Sequence, residues 1–149
     1  MRTMKTGMAV LAIVALASLA GCGTEVGRVP LSGVGTASVT VPLKAGDVVF
    51  WTDIDIAYEG DAALRYDVEL SQGGTVVAKA TCDPLGLIHV KSSWIETNVG
   101  ASHTRRGNGK MTCSATLPKE SPTLVSVTLA FGKSPGTVTL RKADLVLKQ

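Results

Sequence analysis

The sequence predicts an all-β protein, an antiparallel β-sandwich of about eight short strands, and three observations predict it. Apolar residues recur with period 2 in run after run. Each run is bounded by Gly, Pro, Asn or Asp, residues that turn or end a strand. No stretch beyond residue 35 carries the 3.6 period with which a helix buries one face. Since the alternation leaves half of each run polar, the strands suit two packed sheets, each wet on one side, rather than a parallel sheet covered on both.

Before that domain comes a leader. Arg2 and Lys5 precede an apolar run from Met8 to Ala20 broken only by Ser18, the layout of a secretory signal. At about thirteen residues the run is too short to cross a hydrocarbon core of ~30 Å as a helix. It ends in Leu19-Ala20-Gly21-Cys22, a branched apolar residue, two small ones and a cysteine. These residues resemble the lipobox of bacterial lipoproteins. The resemblance implies that the Cys22 thiol takes a diacylglyceryl group, that residues 1–21 are cut away, and that the new amine is acylated. Two or three acyl chains, at ~0.8 kcal/mol per buried CH₂, would then hold the protein on a membrane unaided. Gly23 rather than Asp after the cysteine implies, by enteric sorting rules, the outer membrane. The alternative is an ordinary signal peptide with an incidental cysteine.

Cleavage before Cys22 leaves about 128 residues, one domain with room for a core. Arg2 and Lys5 depart with the leader, so 15 basic residues fall to 13 against 12 acidic ones, and that near-neutral balance gives no support to a nucleic-acid partner. With Cys22 lipidated, Cys82 and Cys113 remain. A pair in an exported protein predicts a disulfide, and closing a loop of roughly thirty residues contributes about 3 to 4 kcal/mol. A cysteine-based metal site lacks any CxxC or neighbouring Cys/His spacing.

From residue 22 to residue 35 the glycines, Pro30 and missing periodicity predict a lipidated flexible tether, reaching ~40 Å when extended. The sandwich is expected over residues 36–149. Thr36 to Leu43 sets Val39, Val41 and Leu43 on one face. Asp47 to Tyr58 sets Val48, Phe50, Ile54 and Ile56 on one face, with Trp51, Asp53 and Asp55 on the other. Leu64, Tyr66, Val68 and Leu70 oppose Arg65, Asp67 and Glu69, and Gln72-Gly73-Gly74 turns that strand into Thr75 to Cys82, with Val76, Ala78 and Ala80 inward. Leu87 to Thr97 is less regular, with Ile88, Val90 and Trp94 inward. Lys110 to Leu117 sets Met111 and Cys113 inward, and Thr123 to Phe131 offers Val125, Val127 and Leu129. In Gly136 to Lys148, Leu140 and Leu145 stand in opposite phases, so a bulge is predicted near Arg141 to Ala143.

The strand count suits a jelly roll, and the closing run Gly136 to Leu147 resembles the final strand of carbohydrate-binding-like jelly rolls. An immunoglobulin-like sandwich is the alternative, although Cys82 and Cys113 are too close in sequence for it and Met111 stands where a corner tyrosine belongs.

Three constellations could carry function. If the strands around Asp55 and Asp67 form a hairpin through Glu59 to Ala62, then Asp53, Asp55, Asp67 and Glu69 share an outer face. Facing like charges need neutralising. A Ca²⁺ ion held by Asp53, Asp55 and Asp67 would do it, as would local pairing with Lys79 opposite Asp67 and Arg65 beside it. Trp51 lies on that same face, where an indole suits stacking on a sugar ring with nearby acids accepting from hydroxyls. Ser102 to Lys110 reads as a basic loop turning at Asn108-Gly109, in which Arg105 and Arg106 could fork onto an anionic glycan.

Catalysis finds little footing. His89 and His103 have no triad or zinc context, and no nucleophile elbow, His-Glu-x-x-His or phosphate loop is present. The expected function is a lipid-anchored module of the bacterial envelope, not an enzyme, that binds a glycan or another envelope protein. A small envelope hydrolase is the alternative, and it would require Asp53, Asp55, Asp67 and His89 to converge in a cleft.

Overall fold

The fold comes from a computed structural model that describes residues 23–86, 88 and 90–149. Cys22, the leader before it and His89 lie outside the described residues. Among the described residues the chain forms nine strands: β1 (Glu25–Val29), β2 (Gly35–Leu43), β3 (Gly46–Glu59), β4 (Ala63–Gln72), β5 (Thr75–Cys82), β6 (Val90–Val99), β7 (Ser102–Leu117), β8 (Ser121–Lys133) and β9 (Thr137–Lys148). Sheet A has the order β1-β9-β3-β7-β6 and sheet B the order β2-β8-β4-β5. Pairing β1 with β9, β2 with β8, β3 with β7 and β4 with β5 is the nested scheme of a jelly roll, and every ladder is antiparallel. The immunoglobulin-like alternative is therefore set aside. β6 is an added edge strand beside β7.

Alternation puts the core where the sequence implied. Val48, Phe50, Ile54 and Ile56 of β3 are buried against Val68 and Leu70 of β4 and Val125, Val127 and Leu129 of β8. Tyr66 of β4 is fully buried, and its hydroxyl donates to the Ala143 carbonyl at 2.9 Å. With that proton committed, Thr52 Oγ1 donates to Tyr66 Oη at 3.0 Å. Both partners belong to sheet A, so one phenol ties the sheets through a fully satisfied polar contact. The expected disulfide is present: Cys82 of β5 and Cys113 of β7 bridge the two sheets with Cα atoms 5.4 Å apart.

The bulge expected in the last strand is also present. Between Asp55 and Ile56 of β3 the β9 partner jumps from Lys142 to Leu140, leaving Arg141 as the extra residue. Beyond it Ala143, Leu145 and Leu147 join the core, and Asp144, Val146 and Lys148 take the opposite face.

Several expectations are corrected. The tether expected over residues 22–35 is folded: β1 occupies Glu25–Val29, with Val29 and Leu31 buried in the core. Gly27 sits there for closeness, since a Cβ at that position would lie 2.7 Å from Val41 of β2. The hairpin expected between β3 and β4 does not form, because the chain crosses from sheet A to sheet B at Gly60 to Ala62. In β5 a register shift puts Val76 outward, 44% exposed, and Val77 against the core. The same shift sets Lys79 opposite Glu69 rather than Asp67.

Nor is Ser102 to Lys110 a loop. It is the first half of a sixteen-residue strand, and the reversal falls at Gly100-Ala101 instead of Asn108-Gly109. Gly107 and Gly109 are there because β6 bulges at Ser93 and Trp94 and packs onto them. A Cβ on Gly107, which has φ 137°, would lie 2.5 Å from the Ser93 carbonyl oxygen, and one on Gly109 would lie 3.3 Å from the Trp94 ring.

Candidate functional site

The outward row of β3 is Trp51, Asp53 and Asp55, and register fixes its neighbours. β7 sets Lys110, Asn108 and Arg106 beside these three, and β9 sets Val146 and Asp144 beside Trp51 and Asp53 on the other flank. β1 adds Arg28 next to Val146, and β6 adds Ser92 next to Asn108. Glu25 and Arg28 from one edge strand and Val90 and Ser92 from the other line a single hollow of about 470 Å³ with Trp51 and Val146 in it. Sheet A therefore curls toward its own outer side, as a twisted five-stranded sheet can. A second hollow of about 340 Å³, holding Asp53, Asp55, Arg106 and Lys142, adjoins the first through Asn108.

The acids on this face are neutralised by protein cations. Arg28 Nη1 donates to Asp53 at 2.7 Å and to Asp144 at 3.0 Å, while its Nε donates to Glu25 at 3.0 Å. Those bonds, that to Glu25 foremost, raise the affinity of the guanidinium for its proton above the ordinary value. Lys142 reaches Asp53 at 3.2 Å, and Arg141 and Arg106 flank Asp55 at 3.2 and 4.0 Å. Asp144 is 8% exposed and also accepts the backbone N–H of Leu31. Burying this carboxylate is tolerable because each of its oxygens accepts a hydrogen bond, one from the Arg28 guanidinium and one from the Leu31 backbone.

Trp51 is not the open indole that its place in the pattern suggested. It is 4% exposed, with the Lys148 ammonium 3.8 Å above its ring centroid. Its Nε1–H is buried and has no acceptor among the described residues. A buried donor left unmade costs about 1–3 kcal/mol, so such groups in folded proteins ask for an explanation.

The structure brings Trp51, Asp53, Asp55 and Arg106 together and separates the rest. Asp67 and Glu69 lie on the outer face of sheet B, where Asp67 pairs with Arg65 at 3.0 Å and Glu69 with Lys79 at 3.1 Å. Asp53, Asp55 and Asp67 thus cannot share a calcium ion, and among the described residues no group of three or more metal-binding side chains is placed to hold one. For the same reason Asp67 does not converge with Asp53 and Asp55, and His89 lies outside the described residues. Arg105 and Arg106, being consecutive on a strand, point to opposite faces. Arg105 is turned in, 14% exposed and 3.1 Å from Glu96, while Arg106 is 69% exposed on the outer face.

Arg28, Asn108, Asp144, Val146 and Lys148 were not singled out by the sequence. The signal for Asp144, Val146 and Lys148 was available, because the phase switch at Arg141 places all three on the side opposite Leu145. Arg28 had none, lying in a glycine-rich stretch that reads as linker. In comparisons with known proteins, no family model and no curated protein matches the chain.

Proposed function

We propose that the protein is a lipid-anchored module of the bacterial cell envelope, held in the outer membrane through Cys22, that binds a glycan on the outer face of sheet A. The observation that carries the glycan reading is the hollow shared by both edge strands, floored by an aromatic and an aliphatic side chain and rimmed by Arg28, Ser92, Asn108 and Lys148. Ligand sites are concave and largely apolar with a few convergent polar groups, and about 470 Å³ lies within their usual ~300–1,000 Å³. The run Leu19-Ala20-Gly21-Cys22 supports the anchor.

The early start of the fold changes what such an anchor does. Thr24 and Gln149 exchange backbone hydrogen bonds at 2.9 and 3.1 Å, so strand pairing begins two residues after Cys22. Consecutive Cα atoms are 3.8 Å apart, which leaves no slack for a spacer. The end of the sandwich carrying Lys44 and Lys119 would then rest at the headgroups, with the binding face rising from the membrane along the strands of sheet A.

The anchor is tested by palmitate labelling of cells: the parent protein should be labelled and membrane-retained, and Cys22→Ser unlabelled. An unlabelled parent would remove the anchor. Ser92→Phe tests the face, because it fills the hollow without touching the ion pairs. It should abolish glycan binding, whereas Ser126→Phe on sheet B should leave it intact. Equal binding by both variants would move the site elsewhere.

A further inference from the structure

The geometry points to a more specific ligand: the hollow over Trp51 is a subsite for a negatively charged sugar unit, and Lys148 is the residue that opens it. This rests on the reading of the outer face of sheet A as a glycan surface.

Charge selects the ligand. Arg28, Arg106, Arg141 and Lys142 each stand within 4.0 Å of a carboxylate. Lys148 has no such partner among the described residues, and its ammonium rests on the indole face instead. Of the charged side chains lining the hollow, Arg28 and Lys148 are cationic and only Glu25 is anionic, so the lining carries an excess of positive charge. A cationic or neutral ligand would leave it unmatched.

Trp51 explains why the anion should be carried on a ring. Its N–H is buried without an acceptor among the described residues, although its neighbours Thr52 and Asp53 are both hydrogen-bonded. Lys148 covers the ring at 3.8 Å, a contact weaker than a charge-assisted hydrogen bond to an anion. An incoming carboxylate or phosphate would draw the ammonium off the ring. The uncovered indole face then packs on the apolar face of a pyranose, and its N–H meets a ligand oxygen. Asn108 and Ser92, on the far rim, are placed to meet hydroxyls. No covalent step is involved.

The test uses the full lipidated protein in detergent micelles. The chain has two tryptophans, so ¹⁵N labelling gives two indole N–H signals, and Trp94→Phe assigns them. On titration with oligogalacturonate the Trp51 signal should move downfield as it gains an acceptor, while Trp94, already bonded to Glu96 at 3.1 Å, should hold still. Lys148→Ala should weaken oligogalacturonate binding at least tenfold with no loss of melting temperature. The methyl ester of the same oligosaccharide should bind the parent at least tenfold more weakly than the free acid. A sugar phosphate that moves the Trp51 signal when the uronate does not would support the subsite with phosphate as its anion.

An equal response to inorganic phosphate alone would overturn the sugar assignment. So would tight binding that leaves the Trp51 signal unmoved or survives Lys148→Ala, and in that case the broader glycan reading would stand with its site elsewhere on the face. If no oligosaccharide of either charge binds, the broader reading fails first and the subsite fails with it.

Discussion

The outer faces of the two sheets come from the same alternating pattern and end in different physical states. On sheet B, Thr36 meets Thr128 at 2.9 Å and Ser38 meets Ser126 at 3.1 Å, and the ion pairs Arg65–Asp67 and Glu69–Lys79 have every side chain more than 40% exposed. Such pairs are screened by water and each contributes about 0–1 kcal/mol. On sheet A, Trp51, Val146 and Asp144 are all under 9% exposed, and Arg28 joins three acids into one network. Period-2 alternation separates core from outside, but it does not say which outside is dry. A face that excludes water from its own outward residues, yet keeps a hollow among them, has the features of a recognition surface.

The largest expected effect tests whether the face of sheet A is dry. Trp51→Ala should destabilise by about 3–5 kcal/mol, the cost of truncating a buried aromatic, although Trp51 points away from the core. Ser126→Ala on sheet B should stay within about 0.5 kcal/mol. Urea unfolding of the two variants compares them directly, and equal midpoints would mean that both faces are equally wet.

Tyr66 sharpens the comparison, because its ring belongs to sheet B and its hydroxyl to sheet A. Tyr66→Phe leaves Thr52 and the Ala143 carbonyl with an unmade bond and should cost about 1–3 kcal/mol. Burial pushes the phenol well above its ordinary value, against which the Thr52 bond acts only in part. A raised folded value means that the neutral form is favoured in the fold. That stability is fully present below the unfolded value of about 10, and is lost as pH rises above it. Denaturation measured between about pH 9 and pH 12 should show the parent losing stability faster than Tyr66→Phe.

Arg28→Met should cost about 1–2 kcal/mol, less than for a fully buried pair because the guanidinium is one-third exposed and Lys142 still serves Asp53. Arg65→Met, its counterpart on sheet B, should change stability by no more than about 0.5 kcal/mol. A double-mutant cycle of Arg28 with Asp144 should show coupling, and one of Arg65 with Asp67 almost none. Equal coupling in the two cycles would erase the contrast between the faces.

What the sequence revealed, and what it hid, follows the same division. The core rows of β3, β4 and β8, the Cys82–Cys113 bridge and the bulge at Arg141 were legible because each is set by local phase or by counting, whereas Val76 and Val90, expected inward, are exposed. Glycine misled twice. Gly27 and Gly109 read as slack and as a turn, and both are points of close approach whose cause lies far off in the chain, at Val41, and at Ile88 and Trp94. The three residues between β3 and β4 suit a hairpin or a crossing between sheets equally well, and that choice decides whether Asp67 joins Asp53 or lies on the other side of the molecule. Arg28 and Lys148 matter through partners on other strands, and no pattern within their own segments announces them.

The smallest expected effect lies on β6, at the edge of sheet A, where Glu96 stands in register with the inward-turned Arg105. Trp94 Nε1 donates to Glu96 at 3.1 Å, and Arg105 and Lys91 lie at 3.1 and 3.5 Å. The Trp94 bond first, then the two cations, hold the Glu96 carboxyl below the usual carboxylate range. A lowered folded value favours the ionised form in the fold. The stability it contributes is present above the unfolded value of about 4.3 and disappears as pH falls through the folded one. Glu96→Gln keeps an acceptor for Trp94 and removes the titration, so its stability should fall less steeply than the parent's below about pH 4.3 and should differ only slightly at pH 7. Because glutamine keeps the acceptor for Trp94, whereas Arg28→Met takes the donor from Glu25 and Asp144, Glu96→Gln should give a smaller change than Arg28→Met. An acid limb as steep in Glu96→Gln as in the parent would show that the bonds of Glu96 to Trp94, Arg105 and Lys91 add nothing to stability on the inward side of β6.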